Sequence, residues 1–244
     1  FEYSDPVEFH VKNKEKPQRC YTPLRILNNP NGNQDDIFMV GRDEELHYLQ
    51  MVLQKSLLEG GQVVALVGEG GIGKSRLIRE FQYSLGDRIK VTTVECTPSS
   101  ASKPFHLLGN LLMAMMNISP GDTLDVKRSR IISYVDYILG SVEEDRKKRN
   151  YQFLGLVMGI QSDNDLLKIL DIMDMASIRS EVIKQLQYFL NAYAGKYKSV
   201  IVLEDLHWAD SRSMSIIREL ISDFHYPNTM LICTSRTEIE GLAS

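Results

Sequence analysis

Gly68-Glu69-Gly70-Gly71-Ile72-Gly73-Lys74-Ser75 is a complete G-x-x-x-x-G-K-[ST] string, and its setting decides the fold. The apolar run Val63-Val64-Ala65-Leu66-Val67 leads into it, and Lys74-Ser75-Arg76-Leu77-Ile78-Arg79-Glu80-Phe81 leaves it at helical spacing. Strand, glycine-rich loop and helix in that order make a phosphate cradle, where the bland alternative is a turn with a solvent-facing lysine. Glycines let the backbone bend until its N–H groups point inward at phosphate oxygens, and the new helix adds its positive N-terminal end. Lys74 is expected to reach the β- and γ-phosphates, and the Ser75 hydroxyl to ligate Mg²⁺. The stretch predicts binding of a nucleoside triphosphate.

A second acidic stretch supports the first. Ser199-Val200-Ile201-Val202-Leu203 is a short β-branched run that reads as a buried parallel strand. It ends in Glu204-Asp205 and continues Leu206-His207-Trp208-Ala209-Asp210. A phosphate loop needs carboxylates at a neighbouring strand end, to hold the metal opposite the loop and to orient the attacking water. Glu204 and Asp205 are the candidates, and the reading leaves open which of them holds Mg²⁺. Trp208 reads as a packing anchor, His207 as a surface or hydrogen-bonded residue that could alternatively orient a water, and Asp210 as the cap of the next helix.

Composition bounds the rest. With 244 residues, 43% hydrophobic and 25% charged, the chain has room for one large α/β domain with an all-helical insertion. A net charge of −4 leaves no electrostatic footprint for nucleic acid or an anionic membrane. Cys20, Cys96 and Cys233 are widely spaced and match no zinc or disulfide pattern, which fits a reducing, cytoplasmic setting. No apolar run is long enough to span a bilayer. Position 1 is Phe, not Met, which predicts a piece of a longer chain.

Along the chain, residues 1–37 carry four prolines and an Asn-rich stretch without sustained period, and read as an extended connector from a preceding domain. The domain proper is expected over 38–244. Arg42 to Leu57 reads as a helix ended by Gly60-Gly61, Lys90 to Cys96 as a strand, and Phe105 to Met116 as an apolar helix. Residues 120–196 offer little β signal. They give amphipathic stretches over Leu124 to Leu139, Glu143 to Ile160, Leu166 to Met173 and Ile178 to Tyr193, so a helical insertion is predicted there. The methionines at 113, 115, 116, 158, 173 and 175 read as core filler, and the run Arg146-Lys147-Lys148-Arg149 as a solvated face. Ser211 to Phe224 is a further helix, and Met230 to Thr234 a further strand.

Three motifs together carry a family resemblance. Met39-Val40-Gly41-Arg42-Asp43-Glu44-Glu45-Leu46 resembles the "V-G-R-x-x-E-L" box of the AAA-like signal-transduction ATPases with numerous domains (STAND). Leu203-Glu204-Asp205-Leu206-His207-Trp208-Ala209-Asp210 resembles that family's second acidic motif, with Glu204 where the family usually has Asp. Ile232-Cys233-Thr234-Ser235-Arg236 resembles its sensor strand, with Arg236 at the phosphate-sensing position.

The resemblance implies a P-loop NTPase fold of AAA/STAND type: a parallel sheet flanked by helices, with the fifth strand and helical lid absent from this chain. It implies ATP and Mg²⁺ as ligands. The expected catalytic residues are Glu204, Asp205 and Arg236, the metal ligands Ser75, Glu204 and Asp205. Nucleotide contacts would come from Val40, Gly41 and Arg42 at the adenine end, the eight loop residues, and Arg76. The lead Asp5-Pro6-Val7-Glu8-Phe9-His10-Val11 resembles the junction after class III cyclase domains in soluble-adenylyl-cyclase-like proteins, and no cyclase signature lies within the chain. The implied function is a regulatory ATPase module of a larger signalling protein, binding ATP and hydrolysing it slowly as a switch. A nucleotide clamp without turnover, a STAND transcription activator and an origin-recognition-like ATPase are the alternatives. Expected partners are ATP or ADP and other domains of the same chain, with nucleotide-dependent self-association allowed.

Overall fold

The computed structural model describes residues 2–3, 5, 7–9, 18–20, 23–25, 41–160 and 164–238. The chain clusters into two compact units, Phe1–Val40 and Gly41–Ser244. In the first, β1 (Glu2–Tyr3) pairs antiparallel with β4 (Pro23–Arg25), and β2 (Val7–Phe9) with β3 (Gln18–Cys20). The lead read as an extended connector thus carries paired strands. Each has two or three residues, too short for a period-2 pattern to stand out.

The second unit is built on four parallel strands: β5 (Gln62–Val67), β6 (Ile89–Glu95), β7 (Lys198–Glu204) and β8 (Thr229–Ser235). Their order is β5-β8-β7-β6. The acidic strand β7, expected beside or near the loop strand β5, is separated from it by β8. Both β7 and β8 have neighbours on each side and are buried along nearly their whole length. That is why they read as continuous apolar runs with no alternation.

Side chains of these strands alternate between two layers. Ile201, Leu203, Leu231 and Cys233 join the large core built from the helical middle. Val200, Val202, Met230 and Ile232, all buried, alternate with them on the opposite face. Helix α1 (Asp43–Leu58) packs on β5 and β8, and on α2 (Lys74–Tyr83). Three acids in the first turn of α1, Asp43, Glu44 and Glu45, sit where the helix dipole favours negative charge.

The helical middle follows α3 (His106–Met115), which packs on β6. It comprises α4 (Leu124–Leu139), α5 (Glu144–Val157), α6 (Asn164–Ile172) and α7 (Met175–Lys196). Thr123 caps α4 by accepting from the Val126 N–H, and Asp174 caps α7 by accepting from the Ser177 N–H. Phe153, Phe189, Leu154 and Val135 are fully buried in the resulting core. Lys90, on β6, donates to Tyr134 Oη at 2.7 Å and lies over the rings of Tyr134, Tyr193 and Tyr197. This pins α4 and α7 to the sheet, and burial lowers the Lys90 pKa.

Two details depart from expectation. Met115, Met116 and Met158 are core filler as predicted, but Met175, in the first turn of α7, is 68% exposed. The basic run in α5 keeps Arg146 and Arg149 exposed, as the solvated-face reading has it, but Lys147 departs from it and each of the three has an intramolecular partner. Lys147 is buried against Glu144 at 2.8 Å, Arg149 pairs with Glu181 at 2.6 Å, and Arg146 lies over the Tyr188 ring. Helix α8 (Ser211–Ser222) completes the unit. Among the described residues no helix is long and apolar enough to cross a membrane.

Candidate nucleotide site

Parallel strands present their C-terminal ends along one sheet edge, where α/β folds bind ligands. Here that edge collects Val67, Glu95, Glu204 and Ser235, because Val67 is in register with Ser235 and Glu95 with Glu204. The Gly68 N–H continues the β5 ladder by donating to the Ser235 carbonyl at 3.2 Å. The loop then leaves the sheet. Gly71 and Gly73 take φ of 81° and 99°, values that a side chain would strain. Gly73 is the N-cap of α2, so the first N–H groups of that helix open onto the loop.

The Lys74 ammonium folds back over the loop, donating to the carbonyls of Gly68 at 2.7 Å and Glu69 at 3.0 Å. The Ser75 hydroxyl donates to Glu204 Oε2 at 2.5 Å, bridging residues 129 positions apart. Loop and acidic strand therefore meet side chain to side chain. Asp205 sits next to this contact in a left-handed conformation, φ 55° and ψ 45°, uncommon for a residue with a side chain. Its N–H donates to Thr234 Oγ1 at 2.8 Å, so the neighbouring strand holds it in place. The exposed Arg236 guanidinium lies against the loop, and a Cβ added at Gly70 would stand 3.5 Å from its Cζ.

Not every candidate converges on the loop. Arg42 stands at the N-cap position of α1 without a side-chain cap bond, donates to Glu45 at 2.8 Å, and reaches the Ile72 carbonyl at 2.9 Å. It braces the loop from outside. Gly41 takes φ 83° just before α1, and Val40 lies outside the described residues. Arg76 pairs with Glu80 along α2. Glu69 and Ile72 are exposed on the loop, joining through backbone carbonyls.

Three residues near the site were not singled out as contacts by sequence. Thr234 is buried, and a hydroxyl at the end of a buried strand was the signal for it. Glu95 reaches the same edge because β6 is in register with β7. His207 lies in the 3₁₀ turn Leu206–Trp208, stacked on Trp208 with ring centroids 5.1 Å apart. Burial pulls its pKa down. Asp205, with Oδ1 3.8 Å from Nδ1, acts against that, and Arg236 and Lys74 push it further down. Trp208 packs against the core, and Asp210 caps α8, as the sequence predicts.

The residues fit a magnesium nucleotide. Among the described residues no group of three or more His, Cys, Asp and Glu is arranged to hold a metal by itself. A hydroxyl and one or two carboxylates facing a phosphate loop suit Mg²⁺, which draws its remaining oxygens from phosphate and water.

Comparison with known proteins agrees with this geometry. A curated protein of Rhizobium meliloti (strain 1021), uncharacterized protein R02095, is 24% identical over 212 residues, covering 81% of this chain. The chain spans 18% of that relative's length. The family described as the AAA ATPase domain matches residues 39–232, which run from the box before α1 through the loop, the helical middle and the acidic strand into β8. The chain belongs to the AAA ATPase domain family.

Proposed function

We propose that the chain binds ATP with Mg²⁺ at the edge formed by Gly68 to Ser75, Glu204, Asp205 and Arg236, and works as a slow, nucleotide-dependent switch within a larger signalling protein. The observation that carries the reading is the 2.5 Å bond from Ser75 to Glu204, which puts a metal-ligating hydroxyl and a carboxylate at one point beside Lys74. Ser75 and Glu204 would hold Mg²⁺, which when bound would supply charge neutralisation to the phosphates. Lys74 exchanges the carbonyls of Gly68 and Glu69 for phosphate oxygens. Glu204, already on Ser75, is the acid on the metal side, which leaves Asp205 to orient the attacking water. Arg236 reaches phosphate over Gly70, and Gly41 and Arg42, with Val40 as the resemblance implies, would close the adenine end. The STAND-like motifs and a far longer relative support a place among other domains of one chain; a cytoplasmic location and the cyclase-like arrangement rest on the sequence alone.

Titration of the purified chain with ATP, with and without Mg²⁺, tests the assignment against Lys74→Ala. Losing the cation is expected to weaken binding by about 1.5–3 kcal/mol. Equal affinity in both proteins sinks it. Steady-state phosphate release, compared with Asp205→Ala, separates a slow ATPase from a clamp: release that Asp205→Ala abolishes supports the ATPase, and no release from the unsubstituted protein assigns the clamp.

A further inference from the structure

A cavity of about 650 Å³ opens among the end of α5, the end of α6 and the starts of α7 and α8. No residue of the nucleotide site lines it. Most of its wall is apolar: Val157, Val182 and Ile216 are buried, and Leu156, Leu170 and Ile178 are half-buried. Pockets that hold small organic ligands are of this size and of this chemistry. Water against such walls finds few partners, so an apolar body that displaces it gains the burial. The exposed Met175 also lines the cavity, and its flexible thioether can fit itself to an occupant.

Charge narrows what the occupant is. The polar groups of the lining are Ser211, Arg212 and Ser215, from the first turns of α8, and Arg179 from α7. Arg179 is already engaged, donating to Glu219 at 2.8 Å and to Ser215 Oγ at 3.1 Å. Arg212 is exposed, and among the described residues no carboxylate pairs with it. Its guanidinium lies 5.7 Å from the ring centroid of Phe105, which lines the same cavity. No acid is present in the lining. The acids of the flanking segments are in use elsewhere: Asp174 caps α7, Asp210 caps α8, and Glu219 holds Arg179.

We propose that this cavity is a binding site for a small amphiphilic carboxylate, with its apolar body against Val157, Val182 and Ile216 and its head group on Arg212. The site combines an apolar hollow with one uncommitted cation, and only a ligand of both characters uses both. An inorganic anion gains Arg212 and none of the wall. A cationic amphiphile gains the wall and meets two arginines with no acid to receive it. The Ser211 hydroxyl adds a further donor for the carboxylate. This site is independent of the nucleotide reading, since the two share no residue.

The test is calorimetric titration of the 244-residue chain with decanoate, below its micelle-forming concentration, and with decylammonium as the oppositely charged control. Decanoate is expected to fill one saturable site, and decylammonium to bind roughly tenfold more weakly or not at all. Arg212→Gln, at an exposed position, should weaken decanoate roughly tenfold, the low end for a hydrogen bond to a charged group because the cavity is open to water. Ala176→Trp, also at an exposed position of the lining, fills the space and should abolish binding. Lys74→Ala should change nothing. Equal affinity for the two amphiphiles, uptake without saturation, or undiminished binding by Arg212→Gln or Ala176→Trp overturns the proposal. So does a dependence on Lys74, which places decanoate at the phosphate loop.

A second readout locates the ligand in the unsubstituted chain. With ¹³C-labelled methionine methyl groups, the Met175 signal, assigned by its absence from Met175→Leu, should shift and saturate along the calorimetric isotherm. A Met175 signal that stays in place while decanoate binds overturns the proposal. If an acidic amphipathic peptide moves that signal and decanoate does not, the surface is a protein-docking groove and the small-ligand assignment fails.

Discussion

Ser75 and Gly73, two positions apart, illustrate how differently a loop residue can matter. Ser75 is exposed, and its hydroxyl is committed to Glu204. Ser75→Ala is expected to leave folding stability within about 1 kcal/mol. It should erase most of the gain in ATP affinity that Mg²⁺ brings, read by titration with and without a chelator. Gly73 has open space where a Cβ would stand, but its φ is 99°. Gly73→Ala therefore costs backbone strain and no clash, about 1–2 kcal/mol in a denaturant titration. Gly70→Ala, lacking a positive φ and meeting Arg236 only at ordinary contact distance, should cost less. If Gly70→Ala proves the more damaging of the two, the loop conformation described above is wrong.

At the scale of elements, Asp210 joins parts of the chain that are far apart in sequence. One oxygen accepts from the N–H groups of Phe105 at 2.9 Å and Ser213 at 2.9 Å, the other from the Leu107 N–H at 3.2 Å. A single buried carboxylate therefore serves the N-termini of both α3 and α8. Asp210→Ala leaves both starts uncapped and is expected to lower stability by about 2–4 kcal/mol. Thermal unfolding would register about 2–4 °C for each kcal/mol. A shift no larger than that of an ordinary surface substitution argues against the double cap.

The elements also differ in how legible they are from sequence. The buried strands β7 and β8 announce themselves as apolar runs, and α4 is bounded by Thr123 and Gly140, the residue types that start and stop helices. The phosphate loop and the acidic pair are legible because their chemistry demands those residue types in that order. The partnership of Asp210 with α3 is not legible, since a cap's second client lies about a hundred positions away. Nor are the two- and three-residue strands of the lead, the insertion of β8 between β5 and β7, or the closed environment of His207. Each depends on tertiary neighbours that no local period encodes.

For the whole molecule, buried thiols and phenols set the alkaline limit. Burial pushes Cys96, Cys233, Tyr193 and Tyr226 up to about 12, from ordinary values of 9.0 for the thiols and 10.0 for the phenols. The folded state keeps these protons where the unfolded chain loses them. Stability is then independent of these groups below pH 9, and declines from there as the pH rises towards 12. Denaturant midpoints measured between pH 7 and 11 should hold level and then drop. In the same range Cys96 and Cys233 should resist alkylation until the protein unfolds, because the thiolate is the reactive form. Rapid labelling of either in the native state contradicts their burial.

The shared cap has a thermodynamic consequence. The segment from Glu204 to Asp210 carries the acids of the nucleotide site at one end and the anchor of two helices at the other. A displacement of that segment is not absorbed by one helix alone, because α3 and α8 draw on the same carboxylate. Whatever free energy nucleotide binding invests in moving the segment is delivered to both helices together. Linkage is reciprocal: a macromolecule that grips α3 or α8 more tightly in one position changes nucleotide affinity by the same factor that nucleotide changes its grip.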